Sequence, residues 1–265
     1  MNPSTINNIS IITICFNNLE EVLNTCRSVD IQTTLPFEHL IIDGSTNDEI
    51  KTYFSQTLQP AFRKTFHEKD HGIGDAFNKG IAHAQGNILV MLNAGDTFYD
   101  ASVLKTVHHT FETHPTIQWL HGKYELQRGG LDVIIGKPHD AAKTYRGMRS
   151  ICHQTMFVKK SLHEKYGLYN NDRKIGMDYD FLLRIQDEAF QFIDAPMVKF
   201  APGGISSSSY LKALKETRNI YETRRGYSFK LVLWQLRLKF LHGLMQSFIG
   251  KTLYKIKVML KLENL

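Results

Sequence analysis

The feature that most constrains the fold is the regular alternation, through the first hundred residues, of short apolar runs with stretches of helical period. "ISIITICF" and "FEHLIIDG" read as buried strands, with "LEEVLNTCRSV" between them as a helix. The rhythm continues with "KTFHEK" as a short strand, "IGDAFNKGIAHAQ" as a helix closed by Gly86, and "NILVMLNAGD" as the next strand. A βαβαβαβ order implies a mainly parallel sheet, helices on both faces and right-handed crossovers. Ligands of such sheets bind beyond the carboxyl ends of the strands. Asp43, Asp70 and Asp96 each follow a strand, so all three are expected at that edge.

With 265 residues and 42% hydrophobic content, the chain can bury one substantial core and carry an appendage. Cys15, Cys26 and Cys152 are odd in number and lack paired spacing, which argues against a disulfide framework and a thiolate zinc site and points to a cytoplasmic setting. The opening "MNPSTINN" is polar and does not read as a secretory signal, and charges cut the C-terminal apolar stretches short of a membrane span. The net charge of +6 is confined to the tail: from Ser228 onward Lys230, Arg237, Lys239, Lys251, Lys255, Lys257 and Lys261 face one acid, Glu263. The remainder is near neutral, so nucleic acid is not an expected partner.

From about residue 115 the rhythm changes. "TIQWLHGKYEL" and "GGLDVIIGKP" read as a hairpin-like excursion, "RGMRSICHQTMFVKK" holds another strand, and "SLHEKYGLYN" is a short helix and turn. "DYDFLLRIQDEAF" has helical period, and "QFIDAPMVKF" is a strand running into the loop "APGGISSSS". The expected division is a domain over 1–210 and a basic amphipathic helical extension over 211–265.

Several sites are excluded. A dinucleotide fold needs a glycine-rich turn after its first strand, and "CFNNLEE" has none; a phosphate-binding P-loop is also missing. "NAGD" has two readings: a turn residue at a strand end, or one carboxylate for a hard divalent cation that bridges phosphates. Asp178 and Asp180, at the start of the helix in "KIGMDYDFLLRI", either cap that helix or provide a general base. Spacing does not choose between these.

Taken in order, "SIITICFNN", "FEHLIIDGST", "EKDHGIGDAFNKGIAHAQGNILVMLNAGD", "CHQTMFVKK" and "GMDYDFLLRI" resemble glycosyltransferase family 2, inverting enzymes with a GT-A fold, and most of all the bacterial branch that builds capsule, O-antigen and exopolysaccharide. The resemblance spans roughly residues 8 to 208. It implies an α/β nucleotide-diphosphosugar transferase fold, a mainly parallel mixed sheet flanked by helices, with a C-terminal helical extension. It further implies that Thr13 and Asn17 line the nucleotide pocket, that Asp43 binds the base, typically uracil, and that Asp75, Asn78 and Lys79 lie beside the nucleotide or sugar. Asp96 matches the last acid of the family's metal motif and would bind Mn2+ or Mg2+; Asp178 matches the general base. Two positions depart from the pattern. Gly95 stands where an acid is common, so that the ribose contact is either lost or passed to Asn93, and Met177 replaces a glutamate.

Four further assignments to substrate follow: His153 and Gln154 from an "HQ" element, Asp180, and Gly204 in a loop that closes over the site. A core histidine and a plain linker are the alternatives for His153 and the loop. The implied reaction moves a sugar, hexosyl or acetamidohexosyl, from a nucleotide donor, UDP-linked by preference, to a glycan or polyprenyl-linked glycan in lipopolysaccharide or capsule synthesis. A catalytically inactive nucleotide-sugar-binding protein is the alternative. The tail, with Trp234 among cations, reads either as a peripheral contact with the inner face of the cytoplasmic membrane or as packing against the domain or a second subunit.

Overall fold

A computed structural model describes residues 7–128, 130–201, 209–247, 250 and 252. The strands are β1 (Ile9–Cys15), β2 (Glu38–Asp43), β3 (Arg63–His67), β4 (Ile88–Met91), β5 (Thr97–Phe98), β6 (Trp119–Arg128), β7 (Leu131–Ile135), β8 (Phe157–Lys159) and β9 (Phe190–Phe200). The helices are α1 (Leu19–Asp30), α2 (Glu49–Gln56), α3 (Ile73–His83), α4 (Val103–Thr113), α5 (Lys160–Tyr166), α6 (Met177–Ile185), α7 (Tyr210–Arg225) and α8 (Phe229–Gln246).

All nine strands form one sheet in the order β3-β2-β1-β4-β8-β6-β9-β5, with β7 added on β6. β1 to β4 pair in parallel, as their alternation with helices requires, and the second half is mixed. Period-2 alternation divides the core between the two faces. Ile12, Leu40, Ile42 and Met91 pack under α3 and α6, against Phe77 and Phe181. Ile9, Ile11, Val90 and Leu92 face α1 and α4, while Ile41 meets Ile50 and Phe54 of α2. α3 lies so close to β1 that a Cβ at Gly80 would stand 2.3 Å from Ile12 Cγ2.

Two expectations need revision. The hairpin expected of "TIQWLHGKYEL" and "GGLDVIIGKP" is present as β6 and β7, but it is no excursion: β6 also pairs with β8 and β9 and is the spine of the second half, because its buried first half can be covered on both sides. The strand expected through "NAGD" ends at Met91, and Gly95, at φ +94°, then turns the chain.

α7 and α8 occupy most of the segment assigned to the extension, and beyond Ser247 only 250 and 252 belong to the described residues. α7 is fastened to α6: Ile220 is fully buried with Tyr179 and Leu183, and Glu216 Oε1 accepts from the backbone N–H groups of Lys174, Ile175 and Gly176, each at 3.0 Å. Gln235 Nε2 donates to Leu214 O at 2.7 Å and ties α8 to α7.

Candidate active site

The site is assembled at the carboxyl ends of the parallel strands. At the end of β2, Asp43 is buried; its Oδ2 lies 2.8 Å from His67 Nδ1, and its Oδ1 accepts from Ser45 N at 2.9 Å. His67 ends β3 in register with Asp43, so strand pairing itself brings the two together. A polar cleft opens here, lined by Asp43, Ser45, Asp48, Lys51 and Lys69 among others. Next to Asp43, Gly44 makes room for Asp70: a Cβ there would stand 1.8 Å from Asp70 Oδ2, so the carboxylate occupies the space a side chain would need. Asn17, exposed and at φ +53°, crosses to the same loop, where Nδ2 donates to Thr46 Oγ1 at 3.0 Å.

Thr13 is placed elsewhere. It shares the parity of Ile11 and Cys15, so it points to the face sealed by α1. It is fully buried, with its hydroxyl 2.9 Å from His39 Nε2. Burial, and next the Arg63 guanidinium, hold that imidazole well below its usual pKa. The side chain of Thr13 therefore presents no surface to a ligand.

On α3, Asp75 accepts from His71 N at 3.0 Å and lies 3.5 Å from Lys79 Nζ; Lys79 also donates to Lys69 O. The two close one wall of the loop after β3. Asn78 is a latch: its amide donates to Tyr169 O and Asn171 Oδ1 and accepts from Tyr169 N, at 2.9, 3.0 and 2.9 Å. All of these bonds run within the protein.

The turn after β4 carries the central group. Asp96 is 3% exposed; Oδ2 accepts from Gln154 Nε2 at 2.6 Å and Oδ1 from Ala201 N at 2.8 Å. Burial raises its carboxyl from 3.8 to about 6, against the opposing pull of those two donors and of His153. Holding it ionised at neutral pH costs the fold on the order of 3 kcal/mol. On the same turn, Asn93 Nδ2 lies 3.3 Å from His153 Nε2, while Asn93 Oδ1 is buried without a hydrogen-bond partner.

His153 and Gln154 sit on a single 3-10 turn ahead of β8. His153 Nδ1 is 3.4 Å from Asp178 Oδ2, and its ring meets Phe77 edge-on at 5.7 Å. Gln154 is buried and takes a hydrogen bond from the Cys152 thiol at 2.5 Å. One dipeptide thus touches both Asp178 at the start of α6 and Asp96 beyond β4. Its own sequence carries no periodic signal of this role, and the pairing appears only in three dimensions.

Asp180, expected at the substrate, is instead a fastening. It is 1% exposed and receives Arg224 Nε and Nη2 at 2.8 and 3.0 Å, with Arg184 Nε at 3.3 Å. Two residues along a helix is a turn of about 200°, so Asp178 and Asp180 necessarily diverge. The acid in one direction meets His153 and the acid in the other meets α7. Met177 is buried in the core over Gly74 of α3, where no ligand contact is open to it. Gly204 lies outside the described residues.

Among the described residues no three His, Cys, Asp or Glu side chains are grouped as a metal cage. A hard cation carried on a diphosphate keeps several waters and needs only one or two protein oxygens. The Asp96 carboxylate, each oxygen with a second lone pair, and the unpartnered Asn93 Oδ1 fit that demand.

The parallel half-sheet and its mixed continuation make an α/β fold of the GT-A type. The chain belongs to the glycosyl transferase family 2, whose family model matches residues 10–167. An uncharacterized glycosyltransferase of Mycobacterium tuberculosis is 34% identical over 178 residues, 66% of this chain and 68% of that one. A glycosyltransferase of PGL/p-HBAD biosynthesis from Mycobacterium bovis is 31% identical over 180 residues, covering 63% and 65% of the two chains. Among solved structures, residues 1–349 of Staphylococcus aureus TarS in complex with UDP-GlcNAc match with a TM-score of 0.61 at 15% identity, over 82% of this chain and 67% of that one. The mannosyltransferase PcManGT of Pyrobaculum calidifontis, in complex with GDP-Man and Mn2+, matches with 0.62 at 13% identity, over 96% and 80%. At these identities the structural likeness shows the fold.

Proposed function

We propose that the chain transfers one sugar, with inversion, from a nucleotide-sugar donor, UDP-linked by preference, to a glycan or lipid-linked glycan acceptor. The observation that carries this is the His153-Gln154 dipeptide, which joins Asp178 to the Asn93–Asp96 turn. Asp43 takes the base, with Asn17 beside it, and Asp75 and Lys79 flank the nucleotide. Asp96 and Asn93 Oδ1 are the protein oxygens offered to Mn2+ or Mg2+. When bound, such a cation neutralises the charge that grows on the departing diphosphate.

Asp178 is the general base. As the acceptor oxygen forms its bond to the anomeric carbon, the bond from that carbon to the phosphate oxygen breaks and the hydroxyl proton passes to Asp178. The base and the leaving group lie on opposite sides of the sugar, so configuration inverts. His153, between Asp178 and Asn93, sets the direction of the carboxylate.

α8 supports a membrane-bound acceptor. Phe229, Leu233, Leu236, Phe240 and Leu244 are exposed at helical spacing, flanked by Lys230, Arg237 and Lys239 on a helix without Asp or Glu. Such a stripe suits an anionic lipid surface. No helix among the described residues is long and apolar enough to cross a membrane.

Calorimetric titration of UDP, with Mn2+ and then with EDTA, tests the donor side in wild type and Asp96→Ala; metal-dependent binding lost in the variant is the expected result. Donor binding with no turnover on any lipid-linked acceptor would favour a catalytically inactive binder. Equal flotation on anionic liposomes with and without residues 228–265 would remove the membrane surface.

A further inference from the structure

A second charged cluster lies outside the donor edge. Arg146, Arg149 and Arg237 hold their guanidinium carbons over one indole, Trp234, at 5.0, 5.5 and 5.2 Å from its centre. An indole has two faces, so at least two of these cations share a side. Like charges so placed repel unless an anion lies between them. Among the described residues no carboxylate pairs with any of the three; Arg146 Nε donates to Tyr145 OH at 3.1 Å, and nearby Asp140 is already paired with Lys143. Trp234 Nε1 is buried and has no hydrogen-bond partner. Guanidinium and indole N–H groups are donors only. The cluster is therefore rich in charge-assisted donors and poor in acceptors.

The location links it to the transfer site. Arg146 ends the 3-10 turn Ala141–Arg146, on which α8 packs, and Arg149 lies four residues before His153. The same segment is fixed to α6 by Tyr179 OH, which donates to Thr144 O at 2.7 Å, and by Met148 in the cluster with Tyr179. Arg237 belongs to the exposed basic side of α8. The cluster thus stands between the segment that carries the proposed base and its histidine and the helix proposed to face lipid.

We infer that Arg146, Arg149 and Arg237, gathered around Trp234, bind a phosphoryl group of the acceptor. Three cationic forks and an indole N–H exceed what the two oxygens of a carboxylate can satisfy, whereas a phosphoryl group offers three oxygens and more charge. This assignment deepens the transfer reading and rests on it for the word acceptor; the anion site itself does not.

The protein has two tryptophans, and Trp119 is fully buried in the core, so a ligand-dependent change in emission reports on Trp234. Inorganic pyrophosphate is titrated against the full-length chain, alone and with saturating UDP. A saturable change that persists with UDP is expected, weakened at least about tenfold in the triple variant Arg146→Gln, Arg149→Gln, Arg237→Gln, with UDP affinity and Tm retained. Equal pyrophosphate affinity in the triple variant, or complete displacement by UDP, overturns the site. Phosphatidylcholine vesicles with and without phosphatidic acid separate the sources. A response to phosphatidic acid vesicles alone assigns the group to a bilayer, and a response to pyrophosphate as well shows that the phosphoryl group suffices. No response to either overturns the proposal. Failure of UDP to bind wild type would sink the transfer reading while leaving the pyrophosphate result to judge the anion site.

Discussion

Asp180 and Asp96 are equally buried and opposite in what surrounds them. Asp180, at the junction of α6 and α7, is clasped by Arg184 and Arg224. Asp96, beyond β4, has neutral donors, Gln154 and the Ala201 N–H, and a carboxyl raised to about 6 by burial. A buried carboxylate between two guanidinium groups has its charge answered inside the protein and joins helices. One kept among neutral dipoles leaves its charge to be answered from outside, at a cost to stability. Burial alone therefore does not separate these two acids; the charge of their partners does.

The largest test of that contrast uses the two acids of α6. Asp178→Asn should lower kcat by about 10²–10⁴-fold with UDP affinity unchanged; unchanged turnover would remove Asp178 as the base. Asp180→Ala should instead cost about 3 kcal/mol of stability, since it removes the carboxylate that joins the largely buried Arg184 to Arg224. In a chain of this size that is a fall in Tm of roughly 10 °C, measured by calorimetry. A variant that kept its Tm and lost only activity would reverse the two roles.

Asp96 allows a finer test through pH. Its folded pKa lies above the unfolded value, so its contribution to stability is fully present below about pH 4 and is lost as pH rises through about 6. The stability of wild type minus that of Asp96→Ala should therefore be greater at pH 5 than at pH 7.5, by about 1 kcal/mol in denaturant titrations. A flat difference would mean that the carboxylate is better solvated than its burial implies. Mn2+-dependent UDP affinity should weaken as pH falls below about 6, where protons compete for the same oxygens.

His153→Gln should lower kcat about tenfold with little change in donor KM, because the ring directs Asp178 without touching the donor. An equal loss in both would make it a donor contact. Asn78→Ala should cost about 1 kcal/mol in stability from the lost latch to Tyr169 and Asn171. Loss of UDP binding there at unchanged stability would assign the amide to the nucleotide instead.

Much of this was legible in the chain. The alternation of apolar runs and helical period located β1, β2, β4, α1 and α3, and from them the edge at which the candidate site lies. Strand parity also held information: Thr13 shares its face with Ile11 and Cys15, so its burial under α1 was available from spacing. Helical period required Asp178 and Asp180 to diverge but did not say which would meet His153, because that depends on where α7 packs. Arg224 lies 44 residues from Asp180. The link from Gln154 to Asp96 spans 58 residues between a 3-10 turn and a loop, neither of which has a periodic signature. The central place of β6 was missed for a related reason: pairing partners are set by how the whole sheet closes.

Glu216 has a consequence for anyone who wishes to recombine this chain with its relatives. It lies beyond the segment matched by the family model, yet its single carboxylate oxygen gathers the three backbone N–H groups immediately ahead of Met177 and Asp178. A chimera joined between residues 178 and 216 would unite one protein's proposed base with another's support. Crossovers placed before Lys174 or after Arg225 move the two as a unit.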